Sequence, residues 1–143
     1  MAQFRQQIRE RVGTTLTGLD ATGSNVFQSR IYNIEGEKLP CICIYTQSEI
    51  SEPVTIGTPR TIQKILDLVI EVYVKSSTYD ATLDATLKEV KETMALDKNI
   101  NNLAKDSFLV SQELNYNGEG DKTTAFGILT YRVEYHHTEG TLE

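Results

Sequence analysis

Apolar residues recur at every fourth position near the start of the chain, with arginine and glutamine residues between them. This spacing places the apolar side chains on one face of a helix, which predicts an amphipathic helix from about Gln3 to Leu16. A second helix with the same kind of pattern is predicted between Asp80 and Leu96. The apolar positions of the two helices are Phe4, Ile8, Val12 and Leu16, then Leu83, Leu87, Val90 and Met94.

β-Branched and aromatic residues, often alternating with polar ones, mark five predicted strands. The segments are 26–32, 41–46, 62–75, 108–116 and 124–136. The third has one wholly apolar face, formed by Leu66, Leu68, Ile70, Val72 and Val74. The last two alternate without a break and are joined by a glycine-rich loop, which predicts a β-hairpin. The strand that starts at Cys41 is apolar on both faces, so we expect it inside the sheet.

Residues 48–59 form the longest predicted connection. They carry two prolines, a glycine and polar residues without a period, which predicts an exposed loop of a kind that often has a function. The order of elements is then α-β-β-β-α-β-β. It predicts an α+β fold with a single mixed or antiparallel sheet of about five strands and two helices packed on one face. The 143 residues fit a single domain.

The overall charge changes which partners are expected. A net charge of −6 and a pI near 5.0 disfavour nucleic acid, since such binding depends on lysine and arginine neutralising phosphates. No apolar run is long enough to cross a membrane, and the first residues lack the pattern of a secretory signal. We therefore expect the protein to stay where it is made, with reduced cysteines. Only the first helix is locally basic, with Arg5, Arg9 and Arg11 against Glu10.

Cys41 and Cys43 are the only cysteines and the first candidates for chemistry. In a strand their side chains share a face about 6.5–7 Å apart, too far for a disulfide. A zinc site or a Cys–His catalytic pair would need the adjacent His136 or His137, which we expect to be solvated where the last strand frays. The pattern favours two buried packing cysteines. A small Cys/His-dependent or metal-dependent enzyme remains the alternative.

No spacing of carboxylates isolates a pair for acid–base catalysis. Asp67 and Glu71 lie on the less apolar face of a strand, where we expect them to face solvent or an interface, and Asp80 and Asp84 suit a helix start. Calcium-loop and phosphate-loop motifs are absent. The sequence therefore predicts a binding protein with no catalytic residue, no metal and no cofactor.

The order of the segments is also informative as a whole. They are, after the first helix, VFQSRI, LPCICIYT, a polar loop, TIQKILDLVIEVYV, DATLDATLKEVKETMAL and a closing hairpin that ends in ILTYRVEY. This layout resembles the tail terminator family of long-tailed bacteriophages, also called minor tail protein U-like or tail completion proteins. The similarity runs from the first helix to Tyr135.

The resemblance implies a structural subunit without enzymatic activity or cofactor. Such subunits form a ring, usually of six copies, that caps the head-proximal end of the tail tube, stops its polymerisation and presents a surface for the head. The implied partners are further copies of the chain, the tail tube protein and a head completion or neck protein, with neither nucleic acid nor membrane. The implied locations are the bacterial cytoplasm during assembly and the virion tail. Another head–tail joining component is the alternative within the same setting.

The family has no short motif of functional residues to match, so candidate contact residues come from this sequence alone. They are polar groups on the first helix, in or beside the long loop and at the hairpin tip, with two outward-facing residues of the long strand. The set is Arg5, Arg9, Glu49, Glu52, Arg60, Val69, Tyr73, Glu119, Asp121 and Lys122.

Overall fold

The computed structural model describes residues 4–19, 26–27, 41–76, 78–100, 103–117 and 123–138. Within them it has two helices and five strands in the predicted order. The helices are α1 (Phe4–Leu16) and α2 (Tyr79–Ala95), and the strands are β1 (Val26–Phe27), β2 (Cys41–Pro53), β3 (Thr61–Ser76), β4 (Asp106–Asn117) and β5 (Thr123–Thr138). The rest of the first predicted strand, residues 28–32, lies outside the described residues.

The five strands form one mixed sheet in the order β1-β2-β3-β5-β4. β1 runs parallel to β2, and the other three pairs are antiparallel. β3 is the central strand, and its Thr61–Ser76 span pairs with β5 along its whole length. The α+β fold with two helices on one face is therefore confirmed, and β2 lies inside the sheet between β1 and β3 as predicted.

The core lies between that face of the sheet and the two helices. α1 contributes Ile8, Val12 and Leu16, and α2 contributes Leu83, Leu87, Val90 and Met94, all at the predicted positions and all buried. The apolar face of β3 packs beneath them, with the residues from Leu66 to Val74 that were predicted for it almost fully buried. Each such side chain stabilises the fold by about 1.5–3 kcal/mol relative to leaving it in water.

Gly127 of β5 lets α2 approach the sheet closely. A Cβ atom at this position would lie 3.0 Å from both terminal methyl carbons of Leu87 and 3.4 Å from Cδ2 of Leu114. These distances are shorter than ordinary carbon–carbon contact, so a larger residue would push Leu87 away. Glycine thus leaves room for Leu87, whose side chain would have to shift by a few tenths of an ångström to admit a Cβ atom.

The predicted loop at residues 48–59 is wrong in its first half, since β2 continues to Pro53. The register shifts between Thr46 and Glu49, and pairing with β3 then resumes from Glu49–Leu66 to Pro53–Ile62. Such a bulge inserts an extra residue into one strand and breaks the alternation of side chains along it, which removes the period that would have indicated a strand. Only residues 54–60 connect the two strands.

The end of β5 also differs from expectation. The predicted fraying does not occur, because β5 pairs with β3 as far as Thr138 opposite Thr61. His137 is buried, and its ring lies 5.8 Å from the ring of Phe4 on α1. The expectation that His137 is solvated is therefore wrong, since α1 covers this side of the sheet. His136 faces the opposite side, and 24% of its side chain is exposed.

The alternation predicted for β4 is interrupted as well. Leu109 pairs with Tyr131 and Ser111 with Thr130, so a bulge at Val110 separates them. Leu109 consequently faces the same side as Leu114 and not the opposite side.

Among the described helices, none is long and apolar enough to cross a membrane.

Candidate functional site

A network of polar side chains joins α1 to β2, β3 and β5 near the connection between β2 and β3. Glu49 of β2 accepts a hydrogen bond from the Tyr135 hydroxyl at 2.6 Å, and Lys64 Nζ lies 3.2 Å from the same carboxylate oxygen. Arg5 of α1 reaches the other oxygen of Glu49 at 3.8 Å. The side chains of Lys64 and Glu49 are only 13% and 15% exposed. Arg5 and Glu49, both predicted as contact residues, are thus brought together within one chain.

Arg9 lines a polar recess beside this network. The recess has a volume of about 340 Å³ and is bounded by Arg5, Arg9, Thr46, Gln47, Ser48, Glu49 and Leu66. The Nε of Arg9 is buried there without a hydrogen-bond partner. α1 has no acidic residue in its first turn, so the positive end of the helix dipole reinforces the charges of Arg5 and Arg9 instead of offsetting them. The recess is suited to receive a carboxylate.

The end of β2 and the β2–β3 connection form a projecting arm, defined here as residues 50–60. Every residue from Ser51 to Arg60 is exposed. Its backbone is held by hydrogen bonds from Val54 N to Thr61 O at 2.9 Å and from Thr61 N to Thr55 Oγ1 at 2.8 Å. The predicted contact residues Glu52 and Arg60 lie on this arm, whereas Glu49 precedes it in β2.

The arm also carries apolar side chains in water. The exposed fractions are 66% for Ile50, 45% for Val54 and 104% for Ile56. A polar segment with three aliphatic residues on its surface is unusual for a chain that acts alone, because exposed apolar groups that cluster commonly mark an interaction site.

A second group of exposed apolar side chains lies on β4, the strand at one edge of the sheet. We call it the β4 strip, and it consists of Phe108, Leu109, Val110 and Leu114, which are 38–50% exposed. Leu109 and Leu114 lie on the helix side of the sheet, opposite Tyr131 and Gly127, whereas Phe108, opposite Arg132, lies on the other side. Between this strand and the C-terminal end of α2 is a cavity of about 250 Å³. Its lining residues are Lys91, Met94, Ala95, Lys98, Asp106, Ser107, Phe108, Leu109 and Tyr131.

The outer face of the sheet, opposite the helices, is less open than predicted. Val69 was expected to face outward for contact, but only 2% of it is exposed. It lies on the central strand and is flanked by Tyr45 of β2 on one side and by Thr130 of β5 on the other. Tyr73 is half-buried, and its ring stacks on Phe126 with 5.3 Å between the ring centroids.

Glu71, on the same face of the sheet, is almost fully buried. The expected solvated or interface position is wrong, because Glu71 is 1% exposed. Its two oxygens accept hydrogen bonds from the hydroxyls of Tyr45, at 3.2 Å, and Tyr73, at 3.1 Å. These bonds offset the cost of removing the carboxylate from water. Tyr73 therefore has a role inside the chain, as a donor to Glu71.

The cysteines and histidines are held far apart. Cys43 pairs with Glu71 of β3, while His137 pairs with Ile62 of the same strand, so nine residues, or about 30 Å along an extended strand, separate them. Both cysteines are free and buried. The pKa of the Cys41 thiol lies well above its ordinary value, first because it hydrogen-bonds with Cys43 and second because it is buried. A high pKa leaves little thiolate, the nucleophilic form, at neutral pH.

No Cys–His catalytic pair is formed by these residues. Within the described part of the chain, no group of three or more His, Cys, Asp or Glu side chains is arranged to hold a metal ion. The hairpin-tip candidates Glu119, Asp121 and Lys122 lie outside the described residues.

Sequence reasoning missed the β4 strip and the buried position of Glu71. The signal for the β4 strip was present, since Phe108, Leu109 and Val110 are consecutive apolar residues, which a strand with only one buried face cannot all hide. Glu71 carried no comparable signal, because the tyrosines that bind it are distant in the sheet or on its own strand.

The chain was compared with known proteins. The family model described as phage minor tail protein U matches residues 3–135. Among solved structures, a chain from the virion of a native gene transfer agent particle matches with 14% sequence identity, 92% of each chain covered and a TM-score of 0.38. A search of curated proteins finds no match.

Proposed function

This chain belongs to the phage minor tail protein U family and is a structural component of a phage tail, and on that premise we propose that it forms a ring that closes the tail tube. In this proposal several copies, six in the expected ring, cap the head-proximal end of the tube and end its polymerisation. The exposed face of the ring then receives the head through a completion or neck protein. The family match over residues 3–135 is the observation that carries the proposal.

The described surfaces support a role in assembly. The arm and the β4 strip expose apolar side chains on two different parts of one chain, and a contact between different patches generates rings when the rotation closes. The recess of Arg5 and Arg9 would accept an acidic group from a neighbour or from the tube. In this proposal Glu52 and Arg60 on the arm contribute polar contacts at the edge of the interface, as do Glu119, Asp121 and Lys122 at the hairpin tip.

Tube length tests the proposal. The tail tube protein encoded by the same phage would be polymerised with and without this protein, and lengths would be measured in negative-stain images. The proposal predicts that the added protein stops elongation and appears as density at one end of each tube. Unchanged tube lengths with bare ends would contradict it, and density without arrested elongation would favour another head–tail joining role.

Charge reversal tests the contact residues separately. Arg9→Glu would place a carboxylate in the recess and repel an incoming acid, and Glu52→Lys would reverse the charge of the arm. Both are expected to weaken ring formation and capping, measured by light scattering and tube length. Lys88→Glu is the matched control, because Lys88 is 76% exposed on α2 and its pairing with Glu92 adds little. If Arg9→Glu and Glu52→Lys assemble and cap like this control, these contact assignments are wrong.

A further inference from the structure

We propose that the arm of one copy packs against the β4 strip of the next copy. This inference rests on the proposed ring and names the contact that would build it. It starts from the two apolar surfaces of the described chain, which lie on separate elements. Ile56 is as exposed as it would be in an extended peptide, at 104%, and Leu109 is 38% exposed. Removing both from water would favour association in proportion to the area that they bury.

The arm presents aliphatic side chains on a projecting turn, and the cavity of about 250 Å³ beside the β4 strip is concave, with Met94, Leu109 and Tyr131 among its walls. An aliphatic anchor filling an apolar pocket is the usual centre of a protein interface. In this arrangement the branched side chain of Ile56 is the anchor.

Charge favours the same partner. Lys91, Lys98 and Asp106 are among the residues that line the cavity, and the arm carries Glu52 and Arg60. Opposite charges around an apolar centre orient two surfaces and disfavour wrong partners. An arm docked with Glu52 toward these lysines would place a carboxylate near two cations.

The geometry requires two copies. The arm precedes Thr61, whereas Phe108 lies beside Arg132, whose partner on β3 is Asp67. Thr61 and Asp67 are six residues apart on β3, or about 20 Å along the strand. In addition, β5 lies between β3 and β4. The arm cannot reach its own β4 strip without losing its pairing in β2 and β3. The contact therefore joins different copies through different surfaces, which is the head-to-tail arrangement of a ring.

Mixing two defective variants tests this arrangement. Ile56→Asp removes the arm contact but leaves the β4 strip, and Leu109→Asp does the reverse. Each variant alone is expected to need about tenfold or more protein to assemble. In a mixture, only one good contact can form, between the normal arm of Leu109→Asp and the normal strip of Ile56→Asp. The mixture is therefore expected to give 1:1 dimers and no rings.

Ala85→Asp is the control for the added charge, because Ala85 is exposed on α2 and belongs to neither surface. Circular dichroism would verify that the variants are folded, and a cysteine pair gives an independent readout. Ile56→Cys with Leu109→Cys in one chain is expected to give a ladder of oxidised oligomers, while a mixture of the single variants stops at dimers. The native cysteines are 0% exposed and give little background.

The outcomes separate this inference from the proposed function. If both aspartate variants form rings like wild type, the arm–strip contact is wrong and the ring stands. If Leu109→Asp fails but Ile56→Asp assembles normally, the β4 edges pair with each other and the inference is again wrong. If wild type neither forms rings nor caps tubes, the proposed function fails and the contact with it.

Discussion

The hydroxyl of Tyr135 on β5 donates a 2.6 Å hydrogen bond to Glu49 on β2, across the central strand β3. Lys64 of β3, which pairs directly with Tyr135, approaches the same carboxylate at 3.2 Å. Arg5 adds α1 to this network. One carboxylate thus fixes the first helix relative to three strands, at the end of the sheet from which the arm projects.

Glu49→Gln is expected to destabilise the protein by about 1–3 kcal/mol, because it leaves the ammonium group of Lys64 largely buried without an anion. Chemical denaturation would measure the free energy of unfolding. Glu92→Gln is the control, since Glu92 pairs with Lys88 on the surface with 67% of its side chain exposed, and less than about 0.5 kcal/mol is expected. Equal losses in the two variants would mean that the Glu49 network contributes no more stability than an exposed ion pair.

The double variant Tyr45→Phe/Tyr73→Phe is expected to lose more stability than the sum of the losses in the two single variants. After one substitution Glu71 keeps one hydroxyl donor, whereas after both its buried carboxylate has lost the two donors that bind it. Each single loss should be about 1–3 kcal/mol, with a coupling of about 0.5 kcal/mol or more in the double variant. A double-mutant cycle measures this coupling. Simple additivity would show that the two bonds act independently.

Gly127→Ala is expected to destabilise the wild-type protein by about 1–3 kcal/mol, since its methyl group would press on Leu87. In a Leu87→Ala background the same change should become neutral or stabilising, because the methyl group then occupies vacated space and alanine costs less backbone entropy than glycine. Thermal unfolding of the four proteins would test the reversal of sign. An equal effect of Gly127→Ala in both backgrounds would contradict this packing argument.

Stability is expected to fall as the pH rises above about 9. Burial raises the pKa of Tyr131 from 10.0 to about 12, and the pKa of Cys41 is raised above 9.0 by its hydrogen bond with Cys43 and by burial. A raised pKa in the folded state means that the unfolded chain loses its proton first. The stabilisation is therefore complete below the unfolded pKa and declines above it, by up to about 1.4 kcal/mol per pH unit for each group.

Denaturant titrations at pH 8 and pH 11 measure this decline. Tyr131→Phe removes one of the two groups, so the variant should lose less stability over the same interval than wild type. A wild-type stability that does not change between these pH values would contradict the account, as would an unchanged slope in the variant.

The helices, the strands and their order could be predicted because the apolar side chains follow one period throughout each element, as in Ile8 to Leu16 or Leu66 to Val74. Two errors, in the end of β2 and in the facing of Leu109, occur where a bulge interrupts that period. The register shift before Glu49 made the end of β2 look like a loop, and the bulge at Val110 changed the face of Leu109.

Burial of polar groups was predictable only in part. Glu71 and His137 are polar residues in buried positions, and their environment is created by residues that are close only in the fold: Tyr45 for Glu71 and Phe4 for His137. The same reason explains the pairing of Arg5 with Glu49, which were expected to meet other molecules. Arg5 was correctly placed on a helix, whereas Glu49 lies in β2 and not in the predicted loop. The contact between them depends on how α1 lies on the sheet.

The most direct test of the central claim is the mass of the protein by light scattering over a range of concentrations, alone and with tail tubes, followed by negative-stain imaging. The account predicts one closed ring of about six subunits, present either in free solution or at one end of each tube. A monomer at every concentration, together with tubes that carry no density at their ends, would contradict it.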